Sequence, residues 1–173
     1  IEPLKEFSHL RTLSLSATPA TDADVASLVG LSSLMRLSLN GTHITDAALA
    51  SLQRLTNLET LFLNFDNITD TGAAHLRNLQ RLKWLGLGNT KITDEGLRQL
   101  AEVSSLESLS LGGTRVTDAG VAHLRKLRNL QELNLGGTRI TNAGLGHLRD
   151  LTALRSLLLG GTLVSDVGLV ELA

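Results

Sequence analysis

Carboxylates recur at a fixed interval along this chain. Asp22, Asp46, Asp70, Asp94 and Asp118 follow one another in steps of 24 residues (46 − 22 = 24), and the series passes through Asn142 before resuming at Asp166. A row of acids invites a metal-binding or acid–base reading. Asn142 argues otherwise, because an amide caps a helix as well as a carboxylate does but is no acid. The row therefore reads as helix starts, where Asp or the preceding Thr accepts a free N–H and negative charge meets the positive helix end. A second series, Thr18, Thr42, Asp66, Thr90, Thr114, Thr138 and Thr162, keeps the same interval. A nucleophilic Thr needs an adjacent base; none recurs, so no catalytic role is expected of these residues. His75, His123 and His147 share one register (147 − 123 = 24) but have no third ligand at a constant offset, as a zinc site requires. Gly86-Leu87-Gly88-Asn89-Thr90-Lys91 lacks the third Gly of a dinucleotide-binding loop, and no G-K-[ST] occurs. With no cysteine there is no thiol nucleophile, zinc ribbon or disulfide framework. The expectation is a chain without metal, cofactor or catalytic centre.

The elements that position these residues follow from the same interval. Leu10, Leu34, Leu58, Leu82, Leu106, Leu130 and Leu154 mark position 1 of a 24-residue unit (34 − 10 = 24). Leucine also fills position 4 (Leu13 to Leu157), position 6 (Leu15 to Leu159) and position 19 (Leu28 to Leu172), while position 22 is Leu except at Val103. The unit reads L-x-x-L-x-L-(G/N)-G-T-x-(I/V)-T-D-x-G-L-x-x-L-x-x-L-x-x. Alternation around positions 4 and 6 predicts a strand, and apolar residues at 16, 19 and 22 predict a short helix. One such unit cannot bury its own apolar edge, whereas stacked units share a core. Parallel strands then line one side at about 4.8 Å spacing, and the wider helices curve the stack with the sheet inside. Net charge is −1 and no apolar run is long enough for a membrane span, so neither nucleic acid nor a membrane is the expected partner.

The L-x-x-L-x-L-x-x-T-x-I/V core resembles the leucine-rich-repeat family, with Thr where that family usually has Asn or Cys. The T-D-x-G-L that follows is similar to the cysteine-containing and GALA-type subclasses, found in F-box substrate receptors and bacterial effectors, and the run Gly112 to Val121 is similar to long bacterial arrays. The resemblance implies an α/β leucine-rich-repeat solenoid, a curved horseshoe segment with a parallel concave sheet and convex helices. The expected organisation is a single domain over residues 1–173, with 1–9 a partial leading repeat and 10–173 seven repeats, the last incomplete. Ile1, Leu4 and Phe7 fall at positions 16, 19 and 22, which puts Phe7 in the core and opens the chain inside a helix; with Ala173 at position 20, also within a helix, a fragment of a longer protein is the expectation. No compartment follows; the resemblance fits the cytoplasm or, for an effector, delivery into a host cell.

On this register positions 3, 5 and 7 face out of the sheet, and most are Ser, Thr, Asn or Gly. The exceptions cluster. Of four aromatics, Phe62, Phe65 and Trp84 fall at outward or rim positions of two adjacent repeats, with Met35 and Arg36 on the preceding one; Phe62 and Trp84 are near enough for their rings to touch. Asn64-Phe65-Asp66-Asn67 is also where the G-G-T pattern breaks. Exposed aromatics beside Arg are the composition of interface hot spots, so Phe62, Trp84, Phe65, Met35, Arg36 and Asn64 are the candidate partner-binding residues. Lys91, Arg115 and Arg139 occupy position 10 of three successive repeats and form a candidate edge for an acidic partner. The expected function is capture of a protein or peptide on the concave face. The alternative is a recognition arm of a larger enzyme, such as a ubiquitin ligase or bacterial effector, with its chemistry outside this chain. Self-association through the solenoid ends is a further expectation.

Overall fold

The structure, a computed structural model, describes residues 7–170. Each repeat contributes one three-residue strand: β1 Thr12–Ser14, β2 Arg36–Ser38, β3 Thr60–Phe62, β4 Trp84–Gly86, β5 Ser108–Ser110, β6 Glu132–Asn134 and β7 Ser156–Leu158. They form one parallel sheet in chain order, and every pair is in register at the repeat interval, Leu37 against Leu61 and Leu61 against Leu85. Short helices stack on the other side: α1 Asp22–Ser27, α2 Asp46–Leu52, α3 Asp70–Leu76, α4 Asp94–Leu100, α5 Asp118–Val121, α6 Asn142–Leu145 and α7 Asp166–Leu169. In the fifth and sixth repeats the α-helix is one turn and continues as 3₁₀, over Ala122–Lys126 and Gly146–Leu148.

Between sheet and helices runs one continuous core. Leu37, Leu61, Leu85, Leu109 and Leu133 from position 4, and Leu39, Leu63, Leu87, Leu111 and Leu135 from position 6, are all buried. Each fully buried leucine contributes about 1.5–3 kcal/mol of transfer free energy. Phe7, expected in that core, is instead 56% exposed. No repeat stacks on its outer side among the described residues, so it lacks the neighbour that buries position 22 elsewhere. Ile1, Leu4 and Leu172 lie outside the described residues.

The Asp row turns out to be a staple between repeats. The Thr at position 12 is the N-cap, with extended backbone, and the Asp after it begins the helix. Its carboxylate reaches forward to the next repeat's Thr. Asp46 Oδ1 accepts from the Thr69 N–H at 2.9 Å and Oδ2 from its hydroxyl at 2.6 Å. Asp22 does this for Thr45, Asp70 for Thr93, Asp94 for Thr117 and Asp118 for Thr141. Asn142 accepts from the Ser165 N–H at 2.9 Å and donates to its hydroxyl, which confirms the polar rather than acidic role of the row.

This staple also accounts for glycine at position 15. A β-carbon on Gly72 or Gly120 would collide with the carboxylate of Asp46 or Asp94, and on Gly120 it would also lie 3.0 Å from the Asp94 Cα. Ala48 shows that a methyl is accommodated once, over Asp22. In the first repeat the same position is Asp24, which reaches back to the N–H and hydroxyl of Thr21 at 2.9 and 2.8 Å. Those hydrogen bonds, the backbone one foremost, hold the Asp24 carboxyl below its ordinary pKa. Asp24 thus supplies from within its own repeat the bonds that a preceding Asp supplies to the others.

Candidate functional site

Five of the six position-9 threonines use the hydroxyl in the same way: Thr18, Thr90, Thr114, Thr138 and Thr162 donate to the carbonyl three residues back, at 2.6–2.7 Å. The second and third repeats depart from this. Asp66 takes the third position, is 4% exposed, and its Oδ1 accepts from the Thr42 N–H at 2.7 Å and hydroxyl at 3.0 Å. Its Oδ2 is buried with no hydrogen-bond partner. Burial raises the Asp66 pKa above the usual carboxylate value, and the two bonds from Thr42 only partly oppose that.

The turn around Asp66 is unusual in its backbone as well. Position 8 is left-handed in every repeat: Gly41, Gly113, Gly137 and Gly161 have φ of 62–73°, and Ala17, Phe65 and Asn89 have φ of 57°, 65° and 55°. Glycine takes that conformation without steric penalty, and Asn tolerates it; a bulky side chain there costs about 1–2 kcal/mol. Phe65 accepts that cost while leaving its ring 68% exposed.

Beside this turn the face is rigidly built. Asn40 Oδ1 accepts from the backbone and side-chain N–H groups of Asn64 at 2.8 and 2.9 Å, and Asn64 Oδ1 accepts from the Gly88 N–H at 2.7 Å. Asn64, a candidate contact residue, is thus the middle rung of a ladder across three repeats, a role its spacing does not reveal. Phe62 is 38% exposed and lies against Gly86, where a β-carbon would come 3.0 Å from its Cδ1 and 2.7 Å from Asn64 Nδ2. Glycine at 86 is therefore what lets both side chains lie flat across the neighbouring strand. Trp84 is half-buried, with Lys83 Nζ 5.7 Å from its ring centroid, and Lys83 is itself paired with Glu107 at 3.0 Å.

No ring packs on another among the described residues. Thr60 pairs with Trp84 and Phe62 with Gly86, so the two rings stand on neighbouring strands at different heights, and Phe62 covers Gly86 rather than Trp84. Trp84, Phe62 and Phe65 form a diagonal that crosses the sheet from the start of β4 to the turn after β3. Arg36 is exposed at the start of β2 with no carboxylate within 4 Å among the described residues, and Met35 beside it is half-buried. Lys91, Arg115 and Arg139 are exposed and unpaired there too; their backbone N–H groups bond Ile68, Ile92 and Val116 carbonyls at 2.9–3.0 Å, which fixes them in a row. On the helix side His123 lies near Glu95, whose carboxyl is held down to about 2 mainly by hydrogen bonds from Arg98 and Gln99. Among the described residues no three His, Asp or Glu side chains are grouped to hold a metal ion.

The pattern of the family described as "Leucine rich repeat" matches residues 8–68, 56–116 and 104–164. The chain belongs to the leucine-rich-repeat family. The three stretches start 48 residues apart (56 − 8 = 48), two turns of the leucine-rich-repeat period read from Leu10 onward. Among solved structures the chain is similar to an internalin (inlF) of Listeria monocytogenes, at 27% identity and a TM-score of 0.74, over 100% of this chain and 55% of that one. It is also similar to internalin C2 of the same organism, at 26% identity and a TM-score of 0.66, over 94% of this chain and 76% of that one. The chain thus spans about half the length of the first of these leucine-rich-repeat proteins. No curated protein matches it in sequence. Within the described residues no helix is long and apolar enough to cross a membrane.

Proposed function

We propose that this leucine-rich-repeat segment captures a protein or peptide partner on the sheet face of its third and fourth repeats. Phe62, Phe65 and Trp84 are the anchors, Arg36 and Met35 flank them, and Asn64 holds the strand ends that present them. One observation carries the reading: Phe65 keeps an exposed ring in a left-handed position where four other repeats have glycine. Local strain without a packing return is characteristic of functional positions. The row Lys91, Arg115 and Arg139 begins one repeat beyond Phe65 and suits an acidic stretch of the same partner, where it would raise the association rate more than the affinity. Whether the segment works alone or as the recognition arm of a larger enzyme, the alternative that the T-D-x-G-L resemblance supports, the same face does the capturing.

The test is a peptide display selection against the native chain, followed by titration of the enriched peptides onto variants. Phe62→Ala and Trp84→Ala are expected to weaken binding at least tenfold while leaving the melting curve in place. Ser108→Ala and Ser156→Ala, on the regular part of the same face, are expected to change nothing. Enriched peptides that bind Phe62→Ala and Trp84→Ala as tightly as the native chain would place the site elsewhere.

A further inference from the structure

A second feature of the molecule lies off the aromatic diagonal. A groove of about 370 Å³ runs along the strand starts of the first repeats, lined by His9, Arg11, Ser33, Met35, Asn57 and Arg81. These residues hold only two places in the repeat, the last position and the second (33 − 9 = 24; 35 − 11 = 24), so the groove is a product of stacking. No carboxylate lines it. In the later repeats the same two places hold Ser105, Glu107, Asn129, Gln131, Ala153 and Arg155. Of those six only Arg155 is basic, whereas Arg11 and Arg81 both border this groove.

The groove's polar groups are also prepared. Asn57 Nδ2 donates to the Ser32 carbonyl at 2.9 Å, and its Oδ1 accepts from Arg81 Nη1 at 3.1 Å. The amide thus tethers the Arg81 guanidinium back across one repeat. Of the five N–H groups of Arg81, that is the one that donates a hydrogen bond among the described residues; Glu59, at the second position of the third repeat, forms an ion pair with Nη2 at 3.9 Å, which is longer than a hydrogen bond and leaves the other donors free. The Arg11 side chain has no hydrogen-bond or ion-pair partner among the described residues, and His9 and Arg11 are both exposed. Two guanidinium groups with unused donors border one groove, one of them held in place by Asn57, and guanidinium is the donor that recognises oxyanions in a planar, two-point way.

We propose that this groove is an oxyanion site, taking a phosphate or carboxylate group between Arg11 and Arg81, with His9, Ser33 and the Asn57-tethered wall around it. It shares Met35 with the proposed partner face but none of the aromatic anchors, and Trp84→Ala is expected to leave it intact.

The experiment titrates the full chain with inorganic phosphate, with succinate, and with sodium chloride at equal ionic strength, and follows backbone amide and arginine Nε–H resonances by NMR. Expected are saturable shifts at residues 9–11, 33–35, 57 and 81, weakened at least fivefold in Arg11→Gln and in Arg81→Gln and unchanged in Arg125→Gln on the helix side. Both substitutions are at exposed side chains, and an unchanged amide spectrum elsewhere shows that the fold is kept. Saturation with phosphate alone identifies a phosphate site, with succinate alone a carboxylate site, and with both a general oxyanion site. Shifts that chloride reproduces, or that survive unchanged in Arg11→Gln and Arg81→Gln, overturn the proposal.

Discussion

The third and fourth repeats and the fifth to seventh share one backbone plan and differ in what they place on it. In the later repeats position 8 is Gly113, Gly137 and Gly161, position 9 is a Thr bonded within its own turn, and the face carries Ser108, Ser110, Glu132 and Asn134, with Leu158 exposed on the last strand. Their polar groups satisfy one another: Ser108 donates to Glu132 at 3.0 Å, and the Gly136 N–H donates to Asn134 at 2.9 Å. In the third repeat each choice is reversed. Phe65 takes the left-handed position, Asp66 buries an oxygen without a partner, and Phe62 lies in the open. The later repeats illustrate what the stack needs for stability. The departures in the third repeat are costs that the regular repeats avoid, which is why the proposed binding site is placed there.

The comparison can be broken from either side, and the largest effect is expected on binding. Trp84→Ala together with Phe62→Ala should remove about 3–4 kcal/mol from the affinity of selected peptides, the range of paired hot spots, with no loss of melting temperature. Next are the staples that both regions share. Asp118→Ala strips the Thr141 N–H and hydroxyl of their acceptor and should cost about 1–3 kcal/mol in urea unfolding. Asp118→Asn should cost much less, because Asn142 already fills the same role. If the two substitutions cost the same, the carboxylate charge rather than the hydrogen bonding is what matters.

Asp66→Thr, which restores the pattern of the regular repeats, should raise stability at neutral pH by about 1 kcal/mol. The sign with pH follows from the raised pKa: folding favours the protonated acid, so native stability is greatest below the unfolded carboxylate value of about 3.9 and declines as pH rises from there through the folded value. Measured across that window, this downward component should vanish in Asp66→Thr. The smallest effect is expected for Phe65→Gly, a gain of about 0.5–1 kcal/mol in stability accompanied by weaker peptide binding. A loss of stability would mean that the Phe65 ring packs usefully and is no evidence of function.

Much of this arrangement was legible in the residues alone. The 24-residue leucine period placed positions 4, 6, 16, 19 and 22 in the core, and turn glycines marked the strand ends. Phe7 was misread because periodicity assigns burial by position, whereas burial also needs a neighbour. What spacing concealed were contacts between repeats. Asp46 meets Thr69 across 23 residues, so a row that looked like helix caps proved to be a staple, and the glycine at position 15 acquired its reason only from that carboxylate. Likewise Asn64 looked like a free contact residue until its bonds to Asn40 and Gly88 were visible. The clustering of Phe62, Phe65 and Trp84 was readable from the register, but the left-handed backbone under Phe65 was not, because the glycine that marks it in other repeats is absent there.

The central claim, that partner capture belongs to the aromatic diagonal rather than to the face as a whole, is tested most directly by mapping amide shifts of the full chain as a selected peptide is added. Saturable changes are expected to concentrate at residues 60–66 and 84–91, with residues 108–112, 132–136 and 156–160 unmoved. Changes confined to those later strands, with Phe62, Phe65 and Trp84 unaffected, would contradict it.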